Sequence, residues 1–178
     1  MNTISENIAF AKAAIDYVNI KMDIGASNKV WPISEWWGKG AKIACAGSYL
    51  NEGEMRVQVR KTLKSVKQAS GKYTNEDVLN SQAEWASLYG CGNCGEQSSI
   101  AFVFLRNKGV RSLDWMHFID RDHAFVIINR QAASDEKDYK SWGADAVLCD
   151  PWKSEACLVS KSSLFSPILK TESLFRLD

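Results

Sequence analysis

The chain has 178 residues, enough for one domain with a substantial core, and it is read as a single unit over 1–178. Its 22 basic and 21 acidic side chains leave a formal charge of +1, which removes any strong electrostatic case for nucleic acid or an acidic membrane surface. Apolar runs fall well short of the roughly 18 residues of a membrane span, and no charged-then-apolar opening marks a cleaved export signal.

In chain order, Thr3 and Glu6 have the spacing of a capping box, and Ile4, Ile8, Ala11, Ile15 and Val18 follow at helical spacing. A helix over about 4–20 is expected, lying on a core through that face. Residues 23–53, with five glycines and a Trp31-Pro32 step, read as irregular. Trp36 and Trp37 within them are candidates to line a substrate cleft, although tryptophan is more often buried for packing. A second helix over about 54–68 carries Val59, Leu63 and Val66 on one side and Arg60, Lys61, Lys64 and Lys67 largely on the other. That basic face is an ordinary solvated surface by default and a docking face by alternative. Thr74 and Asp77 open a third helix that Gly90 ends.

Next comes Tyr89-Gly-Cys-Gly-Asn-Cys-Gly-Glu-Gln-Ser-Ser-Ile-Ala-Phe-Val-Phe-Leu105. A glycine-rich turn delivers Cys94 to the start of a helix over about 95–108. Ile100 to Leu105 leave it no polar face, so this helix is expected to be buried on all sides. Unpaired backbone N–H groups and the helix dipole favour negative charge at its N-terminus, the setting that turns a thiol into a nucleophilic thiolate. Glu96 opposes that charge unless it points away, as two helical residues, about 200° of turn, would make it do. Five cysteines, at 45, 91, 94, 149 and 157, are odd in number and too sparse for a disulfide scaffold. A reducing, cytoplasmic setting in the producing cell is therefore expected.

After Gly109 the period changes to that of strands. Val110–Ile119 and His123–Asn129 read as two strands joined at Asp120-Arg121-Asp122, the second apolar on both faces and so central in a sheet. A polar stretch over 130–141 reads as surface loop. Ala144 to Trp152 holds a third short strand that Pro151 must terminate or place at an edge. Residues 153–178 form a covering segment without an assigned structure. Helices first and an antiparallel sheet second make an α+β arrangement, with a mainly helical part over 1–88 and a catalytic core over 89–152.

His123 opens the central strand and Asp150 closes the next. If these strands are antiparallel neighbours, the two side chains meet, and Cys94, His123 and Asp150 have the order a thiol hydrolase needs. An unpaired carboxylate closing an apolar strand is costly, and a partner such as His123 would remove much of that cost. The other histidine, His117, is the rival base. A two-residue turn pairs it with Val126 and faces it away from His123; a three-residue turn reverses this.

These segments carry a resemblance. Cys91-Gly-Asn-Cys94-Gly resembles the nucleophile segment of papain-like cysteine proteases. Gly-Asn-Cys-Gly-Glu before an apolar helix, then Asp-His-Ala-Phe-Val-Ile, then Cys-Asp-Pro-Trp, resembles papain-fold bacterial effector and toxin domains over about residues 88–152. The order is also that of transglutaminase-like folds. The resemblance implies Cys94 as nucleophile, His123 as general base and acid, and Asp150 as the residue orienting it; Cys91 stands where such proteases often have a disulfide cysteine. It departs from the family at Leu88, where papain-like proteases carry an oxyanion-hole glutamine; Asn93 is the candidate donor in its place, and Trp152 joins the cleft candidates.

The expectation is a cysteine hydrolase acting on an amide, most simply an effector or toxin that deamidates glutamine or asparagine in a host protein. Proteolysis and transglutaminase-type acyl transfer use the same chemistry. A monomer without cofactor or metal is expected, reaching a target cell without a cleaved signal. Three other readings stand beside it. Cys91-x-x-Cys94 is half of a zinc site if Cys149, Cys157 or His123 completes it. It is a redox pair if a strand precedes it. The chain is a binding module if the basic face at Arg60, Lys64 and Lys67 does the work.

Overall fold

The structure is a computed structural model and describes residues 2–24, 41–166 and 168–178, with side chains from residue 50 onward in the second of these ranges. Four helices precede a five-stranded antiparallel sheet: α1 (Ile4–Lys21), α2 (Ala41–Ser70), α3 (Asn75–Tyr89) and α4 (Cys94–Asn107), then β1 (Leu113–Phe118), β2 (Ala124–Ile128), β3 (Val147–Asp150), β4 (Glu155–Leu158) and β5 (Thr171–Leu177). The sheet order is β4-β3-β2-β1-β5, so the apolar β2 is central, as its two buried faces require. The protein is α+β. Among the described residues no helix is long and apolar enough to cross a membrane.

Local chemistry accounts for the helix starts. Thr3 caps α1 and Thr74 caps α3, each in a reciprocal capping box with Glu6 and Asp77 respectively. Gly90, at φ 66°, ends α3 in the left-handed region that glycine enters without cost.

Side-chain alternation then builds two cores. Leu113, Trp115, Val126, Ile128, Val147 and Cys149 face the helices, where α1 supplies Ala11, Ala14, Ile15 and Val18 and α4 supplies Ile100, Ala101, Phe102 and Leu105. Met116, Phe118, Phe125, Ile127 and Leu148 face the other way, onto Trp142, Val159, Leu164 and Phe165 from the segments between strands. Each fully buried large side chain contributes about 1.5–3 kcal/mol, so both faces of the sheet are needed for a stable domain.

Three expectations change. Residues 41–53 are helical, not irregular: α2 begins at Ala41 and passes through Gly47 and Gly53. A glycine inside a helix costs only about 1 kcal/mol, which the rest of a 30-residue helix readily offsets. Residues 153–178 hold the two edge strands β4 and β5, as well as the covering residues Leu164 and Phe165. Helix α4 is not buried on all sides, because Val103 and Phe104 are half-buried and line a groove with Tyr17 of α1 and Ala83 of α3. Trp36 and Trp37 lie outside the described residues.

Candidate active site

The β2–β3 register pairs Val126 with Cys149 and Ile127 with Leu148. Continued one position outward, it sets Asp150 opposite Phe125, so Asp150, Phe125 and His123, two positions before Phe125, share one face, while Trp152 lies in the turn that follows β3. Asp150 is fully buried, and its Oδ2 lies 2.7 Å from His123 Nε2. Its Oδ1 accepts the backbone N–H of Lys153 at 3.1 Å, so both carboxylate oxygens are satisfied. The bond to Nε2 leaves the other ring nitrogen of His123 for the thiol of Cys94, which lines the same cleft and interacts with the imidazole. The Cys94 Sγ also lies 3.7 Å from the carbonyl oxygen of Asp122.

His117 is paired elsewhere. It sits opposite Ala124 on β1–β2, because four residues, 119–122, separate the facing pair Phe118 and His123. That register differs from the two-residue turn, yet it also turns His117 away from His123. Its Nε2 meets Glu172 of β5 at 2.8 Å.

An aromatic cage surrounds the catalytic candidate. Phe118 stacks on the His123 ring with centroids 6.3 Å apart, and Trp152 meets it edge-on at 5.6 Å. Burial opposes a charged imidazole, but hydrogen bonds to Asp150 and Cys94 and their negative charge outweigh it, raising the His123 pKa to about 9. Around the thiol is a cleft of about 230 Å³, lined by Cys94, Phe118, Arg121, Asp122, His123, Trp152, Lys153 and Leu164.

The turn before α4 is tied to α2. Glu96 accepts the backbone N–H of Asn93 at 2.9 Å and pairs with Arg56 at 3.3 Å, which draws its carboxylate away to the helix start. The Asn93 amide, the candidate oxyanion donor, donates to Glu52 Oε1 at 3.0 Å, and Arg56 meets the same oxygen at 2.7 Å. The donors that remain for an oxyanion are the backbone N–H groups of Cys94 and Gly95, which open the helix and have no carbonyl one turn back. Leu88, at the family's glutamine position, is 71% exposed.

The two cysteines of the turn are in contrasting settings. Cys91 is wholly buried, and burial, then Glu52 and Glu96, push its thiol up to about 11. Cys91, Cys94, Cys149 and Cys157 are free thiols, so the disulfide that the family resemblance attaches to Cys91 is not formed. Among the described residues no cluster of three or more His, Cys, Asp and Glu side chains is placed to hold a metal ion. Cys149 points to the Ala11 carbonyl and Cys157 to Glu155. The segment before Cys91 is helix α3, not the strand a redox pair would follow.

Several residues at this site were not singled out from the sequence. Phe118 reaches the cleft from the end of β1, Arg121 and Lys153 from turns and Leu164 from the segment before β5; Arg121 and Lys153 are near neighbours of His123 and Trp152, which was the available signal. Glu52 and Arg56 stand about 40 positions from their partners in the turn, and nothing local announces them.

Compared with models of known protein families and with curated proteins, the chain matches none.

Proposed function

We propose that the protein is a thiol hydrolase that deamidates a glutamine or asparagine side chain of a target protein. The observation that carries this reading is the 2.7 Å contact of His123 with the buried Asp150, with Cys94 lining the same cleft as the imidazole. His123 takes the Sγ proton, and the thiolate attacks the amide carbonyl to form a tetrahedral oxyanion held by the first N–H groups of α4. His123 then protonates the departing ammonia, leaving a thioester on Cys94. Water, deprotonated by the same imidazole, adds to the thioester and releases the carboxylic acid and the free thiol. Asp150 orients the ring and stabilises the imidazolium throughout.

A cleft of about 230 Å³ supports a side-chain amide over a length of backbone, being smaller than the ~300–1,000 Å³ of ordinary ligand pockets. Peptide hydrolysis differs only in the amine that leaves. A target protein from another cell fits the effector-like resemblance of the three segments.

The test is the pH dependence of Cys94 alkylation, followed by intact mass and peptide mapping. Cys94 is expected to label rapidly at pH 6, well below the ~8.5 of a free thiol, and His123→Ala to slow it about 10²-fold. Labelling that follows an ordinary thiol in both proteins would overturn the reading. With the pair established, a one-dalton gain in candidate targets separates deamidation from cleavage.

A further inference from the structure

We propose that the rim of the Cys94 cleft selects amides flanked by carboxylate side chains, with Arg121 and Lys153 as the groups that read them; this rests on the hydrolase reading above. The two cations come from separate segments. Arg121 is in the turn between β1 and β2, held where the N–H of His123 meets the Arg121 carbonyl at 2.9 Å. Lys153 is in the turn after β3, held by its own N–H on Asp150 Oδ1. The residues that fix the catalytic imidazole therefore also fix both rim residues. Both side chains are exposed and line the cleft, and among the described residues neither is in an ion pair.

Four other arginines are spent internally. Arg56, Arg106, Arg130 and Arg176 all meet carboxylates of the same chain. Asp122 also lines the cleft, so the rim carries two cations against one carboxylate, and Asp150, the other carboxylate at the imidazole, is fully buried and turned onto His123 and the Lys153 N–H, away from the rim. Phe118, Trp152 and Leu164 add apolar surface for the methylenes of a bound side chain. A field of this kind raises the local concentration and arrival rate of anionic segments, and salt weakens it.

The experiment uses three peptides that present a chloroacetamide in place of the target side-chain amide, flanked by two glutamates, two glutamines or two lysines. The rate of Cys94 labelling is measured in low salt for the wild type, for Arg121→Glu with Lys153→Glu, and for Lys64→Glu with Lys67→Glu on α2 as a surface control. The wild type is expected to label about tenfold faster with the glutamate peptide than with the lysine peptide. The rim reversal is expected to invert that order, and the α2 reversal and His123→Ala to preserve it. Because both rim residues are exposed, folding of the variants is checked by near-ultraviolet circular dichroism, with Arg121→Gln and Lys153→Gln expected to give intermediate ratios. Equal rates for the three peptides on wild type, or an order unmoved by the rim reversal, overturn the proposal. Failure of the hydrolase reading shows separately, as a glutamine-peptide rate that His123→Ala leaves unchanged, and the substrate assignment then falls with it.

Discussion

At the scale of single residues, the proposed chemistry turns on one imidazole that bonds a buried carboxylate and shares a cleft with a thiol. Burial alone would make His123 a weaker base; Asp150 and Cys94 reverse that and carry its pKa to about 9 against an ordinary 6.5. A raised folded-state pKa contributes stability that is full below the unfolded value, near 6.5, and is lost as pH rises through about 9. Asp150→Asn keeps a hydrogen-bonding group but removes the charge, so the His123 pKa should fall, measured by NMR titration of the imidazole carbons. The stability lost in Asp150→Asn should be largest between about pH 5 and 6.5 and shrink as pH rises towards 9, measured by urea denaturation across that range. The alkaline limb of wild-type amide hydrolysis should lie near pH 9, where His123 loses the proton it gives to the departing ammonia, measured as the rate of ammonia release across pH 7–10. Cys91, three positions away, shows why the motif alone does not choose the nucleophile. Buried beside two carboxylates, its thiol keeps its proton.

At the scale of elements, the start of α4 is the critical joint. Gly92 has φ 151°, and a Cβ placed there would lie 2.6 Å from the Glu96 Cβ, a close approach that only glycine permits. Gly92→Ala is therefore expected to destabilise the fold by about 1–3 kcal/mol and to slow Cys94 alkylation several-fold, because relief of the clash moves Glu96 and with it the helix N-terminus. Denaturation midpoints and alkylation rates on the same samples check both effects. The helix itself is anchored further along. Trp115 Nε1 donates to Ser98 Oγ at 2.9 Å inside the core, and Ile100, Phe102 and Leu105 are buried against the sheet. This explains how a helix whose later residues Val103 and Phe104 reach a groove still presents Cys94 in a fixed position.

At the scale of the whole molecule, the sheet is closed at the end opposite the cleft by an ionic cluster. Asp114 of β1 is fully buried and accepts from Arg130 at 2.8 Å and Arg176 of β5 at 2.6 Å. Ser173 adds a third donor at 3.1 Å. Asp114→Ala would leave two guanidinium groups without their shared partner, and breaking a buried pair costs about 3–5 kcal/mol. A fall of that size in unfolding free energy is expected, while the pH profile of Cys94 alkylation in the remaining folded protein stays as in wild type. A changed profile would show instead that β5 supports the active site.

The elements were legible where a short-range physical rule dictates them. The capping pairs Thr3–Glu6 and Thr74–Asp77, the apolar stripes of α1 and α4, and the doubly apolar β2 all follow from residues within a few positions of one another. The same local logic placed Cys94 at a helix start, His123 at a strand start and Asp150 at a strand end. Local reading failed where glycines were taken as breaks in α2, and where the mixed pattern of β4 and β5 reflects edge strands that are partly exposed along their length. What only the tertiary structure decided is which distant groups meet. Strand register set His123 beside Asp150 and paired His117 with Glu172. Packing of α2 against the turn committed Asn93 to Glu52, and two separate loops brought Arg121 and Lys153 to one cleft. Such contacts depend on register and on the closure of long loops, and these are properties of the whole chain that no local window contains.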